Sequence, residues 1–240
     1  MSYDFIAENL ACVRQELDAA CHAAGRDPAD VTLVAVSKFH PAAAVAAAAA
    51  AGCMVFGESY VQECLEKQAA LTQLPIQWHF IGHIQSRKAR DLVGRMALIH
   101  AVDSLKVATI LHRHAQEQGV VQPVLLQVNV GREPQKHGLA PEAVEAVARH
   151  LAQLEDPAHG GIRLDGLMCL PPWLEDPEAV RPFFAQLAAC RARLQETLGK
   201  ALPHLSMGMS HDFVQAVAEG ATLVRIGTAI FGDRPCMRPM

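Results

Sequence analysis

Four short stretches of this chain carry residue types that could share one chemical task. Lys38 follows the apolar run Val31-Thr32-Leu33-Val34-Ala35-Val36, with only Ser37 between them. That run is β-branched, short and bounded, so it reads as a buried strand with the lysine at its exit. A primary amine at a strand exit can form a Schiff base with an aldehyde, provided a cradle for the rest of the ligand lies on the same rim. Near the C-terminus, Leu223-Val224-Arg225-Ile226-Gly227-Thr228 offers such a cradle, because glycine lets backbone N–H groups approach an anion. Ser206-Met207-Gly208-Met209-Ser210 adds hydroxyls able to bond phosphate oxygens. Each stretch also has a plain explanation: a solvated loop lysine, or a tight turn that needs glycine for positive φ. Arg225 lies inside an apolar strand, where alternation points it away from Val224 and Ile226. It must find partners there, either a structural carboxylate or an acceptor on a ligand, such as a ring nitrogen.

The elements that position these residues alternate along the chain. An amphipathic helix is expected over 4–24, with Ile6, Leu10, Val13 and Leu17 on one face. Strands follow at 31–36, 53–57, 76–82, 97–102, 123–130, 164–170, 205–208 and 222–226. Helices are expected from Pro41, over 58–71, from about Gln85, from Asp103-Ser104 to Gly119, and over 141–154, 177–199 and 211–219. One further helical turn is expected after Gly227. Eight strands alternating with helices in 240 residues predict an α/β fold, a single (β/α)8 TIM barrel over 1–240 with an extra N-terminal helix. A doubly wound open sheet is the competitor, but Ser37-Lys38-Phe39-His40 occupies the turn where it would carry a glycine-rich loop. In the barrel, Lys38, Ser206 to Ser210 and Arg225 to Thr228 all reach the C-terminal rim. The loops after strands 7 and 8 are the usual place for phosphate.

Composition narrows the partners. A net charge of −4 with no basic arm gives no footprint for nucleic acid. The alanine-rich stretch at 42–51 is too short and too small to span a bilayer, and the N-terminus lacks the pattern of a signal peptide. Seven cysteines at irregular spacing form no CxxC pair, so a reducing cytoplasm is the expected home. His79 and His83 fall on a strand and the turn after it, so they share no helical face and no metal is expected. Glu58 reads as an electrostatic cap of its helix, and 131–138 as a polar, solvated rim loop.

Several segments together resemble the pyridoxal phosphate homeostasis protein family, whose barrel is similar to the N-terminal domain of alanine racemases. They are Val34-Ala35-Val36-Ser37-Lys38, Phe56-Gly57-Glu58-Ser59-Tyr60-Val61-Gln62-Glu63 and Trp78-His79-Phe80-Ile81-Gly82-His83-Ile84-Gln85. The match continues through Gln127-Val128-Asn129, Lys136-His137-Gly138-Leu139, Gly166-Leu167-Met168, the 205–210 segment and Val224 to Gly232. The resemblance implies that Lys38 holds pyridoxal phosphate through a Schiff base. It implies phosphate contacts from Ser210, Gly227 and Thr228, with Ser206, Met207 and Ser59 also at the cofactor, and Arg225 facing the pyridine nitrogen. Two departures stand out. Ser59 replaces the family's usual asparagine, and Arg87-Lys88 replaces its usual Asn-Lys.

The implied function is a cytoplasmic, monomeric carrier that binds the cofactor reversibly and buffers or delivers it, with pyridoxal-phosphate-dependent apo-enzymes as possible recipients. The chain offers no room for the second domain that completes a racemase site, and racemisation needs proton delivery on both faces of the α-carbon. The alternative is an enzyme acting on a small amino acid, with Tyr60 or His83 as a second acid/base. A third possibility is a non-covalent site for some other phosphorylated metabolite.

Overall fold

A computed structural model describes residues 3–156 and 158–233. Its centre is a closed barrel of eight parallel strands in sequence order, with β8 hydrogen-bonded back to β1. The strands are β1 (Thr32–Val36), β2 (Val55–Glu58), β3 (Gln77–Phe80), β4 (Leu98–Val102), β5 (Val121–Val128), β6 (Gly161–Cys169), β7 (His204–Ser206) and β8 (Leu223–Ile226). The surrounding helices are α1 (Asp4–Ala23), α2 (Ala42–Ala50), α3 (Val61–Ala70), α4 (Ala89–Leu92), α5 (Leu105–Gln118), α6 (Val144–Leu154), α7 (Arg181–Leu198), α8 (Phe213–Ala218) and α9 (Thr228–Phe231). The expected TIM barrel with its extra N-terminal helix is therefore present.

Period-two alternation divides each strand between two cores. Val34, Leu98, Ala101, Leu125, Met168 and Leu223 fill the barrel interior. Residues such as Phe56, Trp78, Phe80, Leu126 and Leu205 point outward against the helices. Interleaved with the apolar interior are buried polar side chains, among them His79, His100, Ser206 and Arg225. The helix α1 lays Ile6, Leu10, Val13 and Leu17 on this outer core, and each fully buried side chain of that size contributes about 1.5–3 kcal/mol. Asn9 Nδ2 donates to Ile230 O at 3.1 Å, tying α1 to α9 and so to the loop after β8. The alanine-rich α2 buries Ala44, Val45, Ala48 and Ala49. Ser104 caps α5 as expected, its Oγ accepting from Val107 N.

Two local expectations shift. Pro41 stands at the N-cap of α2 rather than in its first turn. The helix α3 begins at Val61, and Glu58 is the last residue of β2, fully buried, so it caps nothing. The chain at Gly57-Glu58 stays extended because Ile81 N bonds to Glu58 O at 2.8 Å across the β2–β3 edge. The 131–138 loop is the solvated rim expected, with Arg132, Pro134, Gln135 and His137 exposed, but its own hydrogen bonds tie it down. Asn129 Nδ2 donates to Glu133 O and Lys136 O, and Lys136 Nζ to Pro171 O. Among the described residues the cysteines are free thiols and no helix is long and apolar enough to cross a membrane. Cys236 lies outside the described residues.

Candidate functional site

The turn that carries Lys38 is held from both sides. Ser37 N bonds to Gly57 O at 3.1 Å and His40 N to Ser37 O at 3.0 Å, closing a turn over residues 37–40. Phe39 sits at φ 69°, a region a bulky side chain enters only when its surroundings impose it, at a cost of order 1–3 kcal/mol. Glu63 imposes it here: its Oε1 accepts from Phe39 N at 2.6 Å. The Phe39 ring leans on Tyr60, and His40 stacks on Phe231 of α9.

Beneath this turn lies a buried ionic cluster. Lys67, from α3, donates to Ser37 O at 2.7 Å, Glu58 Oε1 at 2.5 Å and Glu63 Oε1 at 2.8 Å. Ser37 Oγ donates to the same Glu58 oxygen at 2.6 Å. Burial pushes the Glu58 carboxyl above the usual carboxylate range, against the pull of the Lys67 ammonium. Glu58 Oε2 makes no hydrogen bond. Cooperation of Glu58, Glu63 and Lys67 was not expected from their types, since Glu63 and Lys67 look like an ordinary i,i+4 surface pair.

On the other side of the mouth, Arg225 projects into the barrel and is almost fully buried. It donates to Ser206 Oγ at 2.6 Å and to Cys169 O at 2.9 Å. No carboxylate lies within salt-bridge distance of it among the described residues, so the structural ion pair that would explain it plainly is missing. Burial lowers its pKa, with Asp212 pulling the other way from farther off. Ser206 Oγ also meets His100 Nδ1 at 2.8 Å, and His100 Nε2 meets His79 Nδ1 at 3.0 Å. Arg225, Ser206, His100 and His79 thus form one continuous buried hydrogen-bonded chain. Burial holds both rings neutral, with His79 pushed down to about 4 and His100 well below the usual imidazole range.

The loops after β7 and β8 converge where expected. Arg225 N bonds to Gly208 O at 3.0 Å and Asp212 Oδ1 accepts from Met209 N at 2.6 Å, shaping the segment that presents Ser210. Gly208 has φ 91° and would bring a Cβ within 2.6 Å of Ala216, so it is a glycine of conformation. Gly227 is different. Its φ is −115°, and a Cβ would press on Val36 O at 3.3 Å, so glycine here keeps open a backbone-lined gap between the ends of β8 and β1. Thr228 then opens α9.

Not all the expected contacts are side-chain contacts. Met207 is fully buried in the core between barrel and helices, one residue out of phase with Ser206, so only its backbone faces the loop. Ser206 is likewise inaccessible, its hydroxyl consumed by Arg225 and His100. Ser59 stands beyond β2 and lines, with Tyr60, His83 and Lys88, a cavity of about 400 Å³ between the β2 and β3 loops. Arg87 donates to Gln85, and Lys88 lies 4.0 Å from Asp91. Lys38, Arg225, Ser210, Gly227 and Thr228 are the residues that share the rim formed by β7, β8 and β1.

The family model for the alanine racemase N-terminal domain matches residues 4–235. A Pseudomonas aeruginosa protein named pyridoxal phosphate homeostasis protein is 50% identical over 232 residues, covering 95% of this chain and 96% of that one. The Aquifex aeolicus protein of the same name is 42% identical over 227 residues, covering 95% and 97%. This chain belongs to the pyridoxal phosphate homeostasis protein family. Among solved structures, PipY of Synechococcus elongatus with pyridoxal phosphate bound superposes with a TM-score of 0.82 at 41% identity, covering 95% of this chain and all of that one. Alanine racemase from Corynebacterium glutamicum shares only the fold, at 18% identity and a TM-score of 0.73 over 64% of its chain. Within the homeostasis protein family, the barrel accounts for nearly the full length of the relatives.

Proposed function

We propose that this chain binds pyridoxal phosphate reversibly on Lys38 and buffers or delivers it in the cytoplasm, without turnover of its own. A single barrel domain acting as a monomer carries this role. The observation that carries the reading is Arg225: a buried guanidinium with no carboxylate within salt-bridge distance among the described residues, on the strand that runs straight into Gly227-Thr228. An unpaired buried cation is costly, and an acceptor on a bound ligand offsets that cost. The gap kept open by Gly227 suits the phosphate, since the first N–H groups of α9 have no partner within the helix. The names of the relatives and the ligand bound to PipY support the same reading.

When bound, the cofactor supplies an aldehyde that condenses with an amine, releasing water, and hydrolyses back. The chain's own residues do the rest. Glu63, Glu58 and Lys67 hold the backbone on both sides of Lys38, so its amine is presented from a fixed turn. Ser210, Gly227 and Thr228 hold the phosphate. Arg225 faces the ring nitrogen and, being a cation, opposes protonation there. That weakens the ring as an electron sink and disfavours carbanion chemistry. Recipients of the released cofactor are apo-enzymes that need it.

The test is borohydride reduction of the loaded protein followed by peptide mapping, paired with α-proton exchange over a panel of amino acids. The expected result is a reduced adduct on Lys38 and no exchange above background. An adduct elsewhere, or none, overturns the assignment of Lys38; exchange dependent on Lys38 overturns the carrier reading in favour of an enzyme.

A further inference from the structure

On the opposite arc of the rim, three loops bring together side chains that the cofactor site does not use. His83 follows β3, Asp103 follows β4 just before the Ser104 cap, and His137 lies in the loop after β5. The Asp103 Oδ2 atom is 3.0 Å from His83 Nδ1 and 3.6 Å from His137 Nδ1. The two imidazoles stack, centroids 3.9 Å apart and planes 14° apart, which sets both Nδ1 atoms beside the one carboxylate oxygen; the half-exposed rings splay for both in-plane lone pairs to meet a single ion. The three ligand atoms lie within 4.8 Å of one another. Gln127 Nε2 donates to His137 O at 2.9 Å, anchoring the His137 backbone to β5.

We propose that His83, Asp103 and His137 form a binding site for a divalent transition-metal ion of the zinc class. In a tetrahedral site with bonds of about 2.0–2.1 Å, ligand atoms stand roughly 3.3 Å apart, and the two measured separations bracket that value. A hydrogen-bonded arrangement explains the His83–Asp103 pair but not His137, whose nitrogen is beyond hydrogen-bonding distance. Two neutral imidazoles and one carboxylate are the donor set that suits zinc, cobalt or nickel, and three protein ligands leave the fourth position open. The imidazoles are about half exposed while the carboxylate is nearly buried, so an ion enters from solvent onto a fixed anionic floor. Elsewhere, His114 with Glu117 and His159 with Asp156 are solitary helix or loop pairs, which makes them internal controls.

The experiment is titration of the metal-stripped, full-length protein with Co²⁺, read by visible absorption of the tetrahedral ion and by equilibrium dialysis. One ion per chain is expected, with affinity reduced at least 100-fold in Asp103→Asn and in His83→Ala/His137→Ala, and unchanged in His159→Ala. Circular dichroism checks that each variant is folded, and His137→Gln provides a milder second variant should the double one unfold. Absence of the tetrahedral spectrum, or equal affinity in the variants and the unsubstituted protein, overturns the proposal. Because the readout involves no pyridoxal phosphate, its failure leaves the cofactor assignment untouched.

Discussion

Lys67→Met isolates the cluster that holds the Lys38 turn. The ammonium is 4% exposed and supplies three short hydrogen bonds, to Glu58, Glu63 and Ser37 O. Methionine keeps most of the apolar stem and removes every donor. Glu58, 0% exposed, is then left with an uncompensated charge, and breaking one side of a buried pair costs about 3–5 kcal/mol. For a chain of this size that lowers the thermal midpoint by roughly 6–20 °C. The pH dependence has a definite sign. Burial already raises the Glu58 carboxyl, and loss of Lys67 raises it further. A carboxyl raised in the folded state favours folding below its unfolded pKa, and that contribution disappears as pH rises through the folded value. The deficit of Lys67→Met is therefore smallest near about pH 4–5 and largest at neutral pH. Glu58→Gln/Lys67→Met removes the stranded charge and recovers about 2 kcal/mol or more of the single variant's loss. The assay is urea unfolding of the ligand-free protein at both pH values, closed as a double-mutant cycle. Free energies that add to within about 0.5 kcal/mol at neutral pH refute the coupling, and with it the claim that this cluster clamps the turn.

Lys38→Ala abolishes the borohydride-trapped adduct in a protein that circular dichroism shows to be folded; an adduct of equal yield in the variant contradicts the assignment. His79 is held neutral, its pKa depressed from 6.5 to about 4, so its contribution to stability is complete above its unfolded pKa and is lost as pH falls towards the folded value. That gap corresponds to roughly 3 kcal/mol, and His79→Gln should reduce proton uptake on unfolding between these pH values by about one, measured from the slope of unfolding free energy against pH. Gly208→Ala, with φ 91° and a 2.6 Å contact, should cost about 1–3 kcal/mol of ligand-free stability. Gly227→Ala, with ordinary φ, should cost less than about 1 kcal/mol yet weaken cofactor binding at least tenfold. A reversed ranking of the two in urea unfolding and cofactor titration contradicts the distinction between them.

The barrel was legible because its strands are short apolar runs closed by turn residues, and because Lys38, Ser210 and Gly227-Thr228 each stand just past such a run. What escaped depends on direction. Ser206 and Met207 are neighbours, and alternation sends one side chain inward and the other out to the helices, so Met207 can offer a ligand only its backbone. His79 lies between Trp78 and Phe80 and must point the opposite way, yet nothing local says that it meets His100, 21 residues later, on the neighbouring strand. Lys67 and Glu63 carry the spacing of a solvated helix pair. Only the docking of α3 over the end of β2 turns them inward, onto a glutamate that seemed to cap a helix. His83, Asp103 and His137 belong to three separate loops and share no motif.

Behind any ligand at the mouth, a buried hydrogen-bonded chain runs from Arg225 through Ser206 and His100 to His79. Arg225 can only donate, so a proton would reach a ligand through it only if the arginine gave up its own, the least acidic group available. His79 and His100 are held neutral by burial, and a second charge beside the guanidinium is disfavoured by repulsion. The chain thus orients Arg225 without delivering a proton through it, and any ring acceptor facing Arg225 is bound but not protonated. An enzyme that needs a strong electron sink is poorly served by that arrangement. A protein that must take up an aldehyde on Lys38 and later return it unchanged is served well, because the same feature that anchors the ring suppresses its reactivity.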